Sequence, residues 1–510
     1  MTTLSDTQAS GGPAREQPFF PDEGGRSPGM GWPKAREAGV GRCPNCQISI
    51  RVAGRMPQPD CPFCHGLLER SQALLPAPPA GEQPRADRRQ AAARYRKPSR
   101  LLVLLLIAVS IVLLTVAIYF KLFNLRYFWY QPYINTYSLC VGVFILSRFI
   151  LALFYSPPRA AGYEPKATVI IACRNEEDSI GETLRHAFSE GYPADKIEVV
   201  VVNDGSTDET LKVMMASLAE HPNLTVVDFE ANKGKRHGMA VGALLARGEV
   251  LICVDSDSFL LPGAIATVVR GLADPTVAAV AGHTDVENAG ANLLTKMQDV
   301  RYYFSYRVMK AAESLFGAVS CCPGCFSAYR KSCVLAVLDP WLNQRFLGRR
   351  VTFGDDRSLT NFLLRRYRVL YDCEALATTL VPERWGKYIR QQCRWKRSWI
   401  RELLVAGRFF WRKHPVAAIS WYAMSVLPLL APLVMFNALV LGPLLYGRPA
   451  AFYVGGVLVV TLLWSFYYLE KTGRPYWWTA FLFTLTYMGF FSWQGYYAVI
   501  TMRNTKWGTR

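Results

Sequence analysis

Acidic residues are scarce in this chain: 39 Asp and Glu stand against 58 Lys and Arg, a formal net charge of +19 over 510 residues. Such a surplus raises nucleic-acid binding, but its placement argues against that reading. Arg85, Arg88, Arg89, Arg94, Arg96, Lys97 and Arg100 crowd just ahead of residues 101–120, which contain no charge at all. Twenty uncharged residues suffice to cross a hydrocarbon core as a helix. The run begins about a hundred residues in, which excludes a cleaved signal peptide. No internal repeat is evident, so repeat architectures are excluded as well. Residues 1–40 lack hydrophobic periodicity, are rich in Gly, Pro, Arg and Glu, and read as disordered.

What is abundant is apolar and aromatic. The chain is 51% hydrophobic, with 13 Trp, 25 Tyr and 27 Phe, concentrated at 101–120, 137–155 and 415–500. The second run carries only Arg148, expected to snorkel to an interface. A membrane protein follows as the class, with the lipid bilayer as a partner. The short loop after the first run offers only Lys121 and Arg126. The basic bias therefore puts the N-terminus in the cytoplasm, and two crossings return the polar middle there. Beyond Pro415 about four crossings are expected, with 415–446 readable as two short spans or as one span plus an interfacial helix.

Thirteen cysteines facing a reducing cytosol do not suggest disulfides. Four of them form Cys43-Pro44-Asn45-Cys46 and Cys61-Pro62-Phe63-Cys64, two knuckles separated by fourteen residues. Two tight turns that converge four thiolates suit tetrahedral, structural Zn²⁺, and a closed four-thiolate site has no open position for catalysis. The module is expected to be a regulatory knob or a surface for a protein partner, joined by a flexible linker to the membrane. The resulting division is 1–40 disordered, 41–70 zinc ribbon, 71–100 basic linker and 101–155 two transmembrane helices. After these come 160–385 catalytic domain, 386–412 interfacial amphipathic helices, 413–502 transmembrane bundle and 503–510 cytoplasmic tail.

Between the membrane runs, strand and helix patterns alternate. Strands are expected at 167–173, 197–203, 224–229 and 250–255, with helices at 178–189, 207–220 and 234–247. This order predicts an α/β domain with a mostly parallel sheet covered on both faces, its ligand site at the strands' carboxyl ends. Polar residues fall there: Arg174 and Glu176 after the first strand, Asp204 after the second, Asp255 and Asp257 after the fourth. Alternate strand residues point the same way, and two carboxylates that close suit a hard divalent cation beside phosphates. The competing reading is a strand that runs into an Asp/Ser turn. Lys233, Lys235 and Arg236 open a helix at the same rim. Cations at a helix N-terminus are electrostatically misplaced unless an anion sits there.

Val202-Asn203-Asp204-Gly205-Ser206, Lys233-Gly234-Lys235-Arg236, Asp255-Ser256-Asp257, Gly354-Asp355-Asp356-Arg357 and Gln391-Gln392-Cys393-Arg394-Trp395 occur in the order and spacing of processive family 2 glycosyltransferases. Over about residues 100–510 the chain resembles hyaluronan synthases and nodulation-type chitooligosaccharide synthases. The resemblance implies a GT-A-like nucleotide-diphospho-sugar transferase domain inserted between transmembrane helices. It implies UDP-sugar donors, UDP-N-acetylglucosamine foremost, a growing polysaccharide acceptor, and a β-linked product passed through the protein's own helices. A hyaluronan-like product is slightly favoured over a chitin-type one, and single-sugar transfer to a lipid carrier is the runner-up.

The resemblance also distributes roles. Asp204 would read uracil, although a turn-forming Asp before Gly explains it equally. Lys233, Lys235 and Arg236 would face the diphosphate, and Asp255 with Asp257 would hold Mg²⁺ or Mn²⁺. Asp356 would be the base for the acceptor hydroxyl, with Asp355 either beside it in catalysis or capping a helix at 357–364. Gln391, Arg394 and Trp395 would contact diphosphate and acceptor sugar, on a stretch that also reads as an interfacial helix. Trp507 and Arg510 match an ending that closes the loaded nucleotide site. Cys321-Cys322-Pro323-Gly324-Cys325 fits the acceptor loop, while Val351 stands where hyaluronan synthases carry Cys. The ribbon lies outside the usual pattern.

Overall fold

The structure is a computed structural model that describes residues 37–53, 60–61, 64–74, single helical positions between 101 and 123, and residues 132–160, 162–447 and 451–504. Near-continuous runs of β-branched residues build the centre of one large sheet. Strands β4 (Ala167–Cys173), β5 (Ile197–Asp204), β6 (Leu224–Phe229) and β7 (Val250–Val254) are parallel, in the order β6-β5-β4-β7. The first, second and fourth are buried at every position, as strands covered on both faces must be. Helices Ile180–Ser189, Thr210–Glu220 and Lys235–Leu245 connect them, each within a few residues of its expected bounds.

Past β7 the strictly alternating pattern ends, and the sheet is mixed rather than mostly parallel. Strand β8 (Ser258–Leu260) follows directly, then β9 (Val277–Val286), β10 (Phe326–Arg330) and β13 (Arg368–Thr379). Strand β10 lies antiparallel between β7 and β9, and β13 runs parallel to β9 with β8 at its edge. A two-stranded hairpin of β11 (Arg345–Phe346) and β12 (Arg349–Arg350) stands apart.

The cysteine module is not a tethered knob. Its strands β1 (Glu37–Arg42), β2 (Ile48–Ala53) and β3 (Glu69–Leu74) continue the catalytic sheet, giving eleven strands in the order β3-β1-β2-β6-β5-β4-β7-β10-β9-β13-β8. Strand β2 pairs antiparallel with β6 from Ile48↔Phe229 to Val52↔Thr225. Cys43, Ile48, Ile50, Cys61 and Leu68 are buried in one core with Val227, Phe229 and Met239. The module is thus not a separate body, because an open β6 edge would expose unpaired N–H and C=O groups; the rest of the expected linker, 75–100, lies outside the described residues. The bounds change with it: residues 37–40, expected in the disordered segment, belong to β1, and 71–74, expected in the linker, belong to β3.

Three described helices are long and apolar enough to cross a membrane: Tyr133–Phe154, Pro415–Leu445 and Tyr453–Thr472. The expected span at 101–120 lies largely outside the described residues. The 31-residue second helix is continuous through Pro428, Pro432 and a π turn, Asn437–Leu441, so it is one helix rather than two spans. A last helical stretch from Thr479 to Ile500 packs against catalytic-domain helices Leu293–Phe304 and Trp385–Ala406. Three helical stretches therefore follow Pro415 among the described residues, against the four crossings expected. Arg148 does not snorkel; it is buried between helices and donates to Ser420 Oγ. The catalytic domain is fastened to the helices where buried Asp299 accepts from Arg474 Nη1 at 2.9 Å and from Tyr468 Oη.

The shared core generates a test. Ile50→Ala should lower the unfolding free energy of the catalytic domain by about 2–5 kcal/mol, the usual range for a buried Ile-to-Ala cavity. Thermal melting of the purified protein checks it; an unchanged catalytic-domain transition would mean the ribbon folds as a separate body.

Candidate active site

The carboxyl ends of β4, β5 and β7 open into one cavity of about 1500 Å³. Arg174, Glu176, Asp204, Lys233, Lys235, Arg236, Asp255, Asp257, Asp355, Asp356, Gln391, Arg394 and Trp395 all border it, as do Met424 and Pro428 of the long apolar helix. Two of the expected residues, Trp507 and Arg510, lie outside the described residues. The chain leading to them approaches the rim: Thr501 Oγ1 accepts from Arg397 Nε at 3.0 Å, and the Arg503 carbonyl from Arg349 Nη1 at 3.0 Å.

The three basic residues at the helix opening have separate partners. Lys235 forms an ion pair with Asp255. Burial opposes its charge, but the Asp255 carboxylate outweighs burial and holds the ammonium above the ordinary lysine range. Arg236, expected on the diphosphate, is 2% exposed and committed inside the protein. Its Nε donates to Asp355 Oδ1 at 2.8 Å and its Nη1 to the Trp341 carbonyl at 2.8 Å, with the guanidinium 4.9 Å from the Trp341 ring centroid. Lys233 points toward the cysteine module, its Nζ donating to the Cys46 carbonyl. The anion that excuses cations at this helix start is, in this structure, protein carboxylate.

Asp204 ends β5 and accepts from the backbone N–H groups of Lys233 at 2.7 Å and Gly234 at 3.0 Å. It braces the loop that opens the next helix, a role the turn reading did not contain. Glu176 accepts from Ser179 Oγ at 2.9 Å, and its own N–H donates to Thr210 Oγ1 at 2.8 Å. Asp255 and Asp257 are both half-buried at the cavity, with Ser256 buried between them. Gly324, which carried no individual signal in the sequence, packs on this cluster: a Cβ there would stand 2.9 Å from Asp255 Oδ1 and 2.9 Å from Lys235 Nζ.

The two adjacent acids of the helix Asp355–Leu364 differ completely. Asp355 is 4% exposed and is the buried ion-pair partner of Arg236 rather than a side-chain cap. Asp356, one residue on, faces the cavity with Cys321 Sγ 3.7 Å from Oδ2. Burial, reinforced by the Asp356 charge, pushes the Cys321 thiol up to about 11, so near neutrality it is a thiol beside the carboxylate. Preceding them, Gly354 has φ 75° and no room for a side chain: a Cβ would lie 1.8 Å from Ser398 Oγ. Arg401 Nη2 donates to the Phe353 carbonyl at 2.7 Å, clamping this loop to the helix Trp385–Ala406.

That helix presents Gln391, Arg394 and Trp395 to the cavity one turn before Ser398. Trp395 is 37% exposed, with the Arg301 guanidinium 5.8 Å from its ring centroid. Arg301 also donates to Gln392 Oε1 at 2.8 Å. Arg301, Tyr302 and Lys310 of the cavity wall were missed in the sequence, because their helices carry no local motif. At the far edge of the sheet, the Sγ atoms of Cys43, Cys46, Cys61 and Cys64 lie within 4.8 Å of one another, a donor set that fits one tetrahedral ion.

A mixed α/β sheet with acids and cations gathered at its strand ends, over a cavity continuous with apolar helices, defines a GT-A-like transferase fold. Residues 165–398 match the family described as Glycosyltransferase like family 2. The chain carries that domain and is a glycosyltransferase. A homologous hyaluronan synthase of Streptococcus pyogenes is 28% identical over 426 residues, covering 80% of this chain and 97% of that protein. An N-acetylglucosaminyltransferase of Mesorhizobium japonicum is 36% identical over 245 residues, 48% of this chain and 58% of that one. Among solved structures, a Pyrobaculum calidifontis mannosyltransferase in complex with GDP-Man and Mn²⁺ has a TM-score of 0.45 at 22% identity, covering 69% of this chain and 99% of that one.

The neighbouring acids should separate by experiment. Asp355→Ala strands the buried Arg236 charge and should cost about 3–5 kcal/mol of stability. Asp356→Ala, at the cavity, should stay within about 0.5 kcal/mol. Chemical denaturation of the two variants checks this, and equal losses would contradict the assigned split.

Proposed function

We propose that this chain is a membrane-embedded, inverting, processive glycosyltransferase that polymerises a β-linked polysaccharide from UDP-sugars and passes it through its own helices. The observation that carries the reading is the single cavity that holds Asp255, Asp257, Asp356, Arg394 and Trp395 and reaches Pro428 of an apolar helix. Donor chemistry and an exit toward the membrane thus share one space. The basic run before residue 101 supports a cytoplasmic N-terminus and catalytic domain at the cell membrane.

In this reading the acceptor sugar stacks on the exposed face of Trp395, with its hydroxyl toward Asp356. Asp356 takes the hydroxyl proton as the oxygen displaces UDP at the anomeric carbon, inverting its configuration. Arg394 and Lys235 attract the diphosphate as charge-assisted donors. Asp255 and Asp257 suit Mg²⁺ or Mn²⁺: two half-buried carboxylates meet here, and a cation, Lys235, already sits on Asp255. The metal would supply Lewis-acid neutralisation of the departing UDP. The four thiolates at the sheet edge suit Zn²⁺ as a structural ion. The tail toward Trp507 and Arg510 closes the loaded site, consistent with Thr501 and Arg503 at the rim.

UDP-N-acetylglucosamine is the donor we favour, supported by the similarity to a protein named as an N-acetylglucosaminyltransferase. A uronate as second donor needs a cation for its carboxylate. Arg301 and Arg357 border the cavity in addition to the residues assigned to the diphosphate, which favours a hyaluronan-like product. Purified enzyme given UDP-N-acetylglucosamine with UDP-glucuronate should make hyaluronidase-sensitive polymer. Chitinase-sensitive polymer from the single donor would instead assign the chitin-type product.

Two variants test the mechanism. Asp356→Asn should retain UDP binding while synthesis falls by about a hundredfold or more, the cost of losing a general base. Asp257→Ala should also lose the metal-dependent part of UDP binding, measured by titration calorimetry with and without Mn²⁺.

A further inference from the structure

The cysteine module touches the catalytic domain where the donor loops begin, and two chains of polar contacts cross that boundary. The first runs through Cys46, whose thiol is a metal-site donor and whose carbonyl accepts from Lys233 Nζ. The backbone N–H of Lys233 in turn donates to Asp204 at 2.7 Å. The second runs from Arg51 of β2 to Asp228 at 3.5 Å, and from Asp228 to Asn203 Nδ2 at 2.7 Å. Asn203 Oδ1 then accepts from the N–H of Ser206 at 3.2 Å, in the turn that follows Asp204. Both chains end on the Asp204 loop at the cavity.

We propose that the four-cysteine metal centre is energetically coupled to the donor-nucleotide site: metal bound by Cys43, Cys46, Cys61 and Cys64 raises nucleotide affinity by fixing the Cys46 carbonyl that positions Lys233. This rests on the proposed reading of the cavity as a UDP site and of the thiolates as a zinc site.

The physical basis is a difference between two states of one knuckle. Cys43 Sγ lies 3.3 Å from Cys64 Sγ and Cys46 Sγ 3.4 Å from Cys61 Sγ, and thiol–thiol contacts of this kind are weak links beside metal–thiolate bonds. With metal, Cys46 is anchored at its sulfur and its peptide cannot swing. Lys233 then keeps its acceptor, and the backbone it shares with Gly234 keeps its place on Asp204. Lys233 is thus a positioning residue, acting on the nucleotide through the loop it holds. Coupling between two sites is reciprocal by thermodynamic necessity: if zinc tightens UDP, UDP must tighten zinc by the same factor.

The experiment uses the full-length enzyme with Mg²⁺. UDP affinity is measured by calorimetry on zinc-loaded and zinc-free protein, and zinc affinity by competition with a chromophoric chelator, with and without saturating UDP. The expected result is a change of about tenfold in both, the scale typical of intersite coupling. The KM for donor should rise in the zinc-free enzyme with kcat largely retained. Lys233→Met separates positioning from mere folding: zinc-loaded and zinc-free forms of that variant should bind UDP alike. Equal UDP affinity of zinc-loaded and zinc-free wild-type protein would overturn the coupling, as would a Lys233→Met variant that keeps the full zinc effect. Failure of UDP to bind even the zinc-loaded enzyme would overturn the donor-site reading instead.

Discussion

The Arg236–Asp355 ion pair joins the two halves of the cavity. Arg236 belongs to the helix that follows β6, and Asp355 to the helix that carries Asp356. Both charges are out of water, so the pair itself adds little net stability, yet losing either partner leaves an uncompensated buried charge. The Trp341 ring packs on the guanidinium, and Gln344 accepts from Nη1 at 3.2 Å. The distance between the Lys235 side and the Asp356 side of the cavity is therefore set by a contact that cannot slide without stranding charge. Asp356 is left to face the cavity because its neighbour does the anchoring.

The same economy governs the three cations at the opening of the helix Lys235–Leu245. Within four residues, Lys233 reaches the cysteine module, Lys235 neutralises Asp255, and Arg236 neutralises Asp355. Together they link the sheet edge, the paired acids and the acid-bearing helix. Replacing any of the three by a neutral residue would release a different part of the cavity. The basic cluster is therefore a junction, with Lys235 the member that pairs with an acid at the strand end of the cavity.

The helix Trp385–Ala406 makes the corresponding link to the membrane side. Ser398 and Arg401 hold the loop before Asp355, while Arg394 and Trp395 face the cavity. Its far side packs against the last helical stretch, Gln494–Ile500. The loop that precedes Asp356 is thus clamped to the helix that carries Arg394 and Trp395, so two separate elements of the cavity wall are held in a fixed relation.

The sequence by itself determined the α/β alternation up to Asp255, because buried parallel strands demand uninterrupted apolar runs and their ends must carry the polar residues. It determined the gathering of Asp204, Asp255, Asp356 and the Gln391–Trp395 motif, since chemistry restricts which residue types serve and where. The four cysteines were legible for the same reason: metal ligation fixes spacing. Tertiary structure alone decided how charges of one kind were divided. Lys233, Lys235 and Arg236 look alike in the chain, as do Asp355 and Asp356, and only long-range partners such as Cys46 and Trp341 separate them. It also decided that the ribbon extends the catalytic sheet, because which edges pair depends on surfaces about 180 residues apart in the chain, beyond the reach of any local pattern.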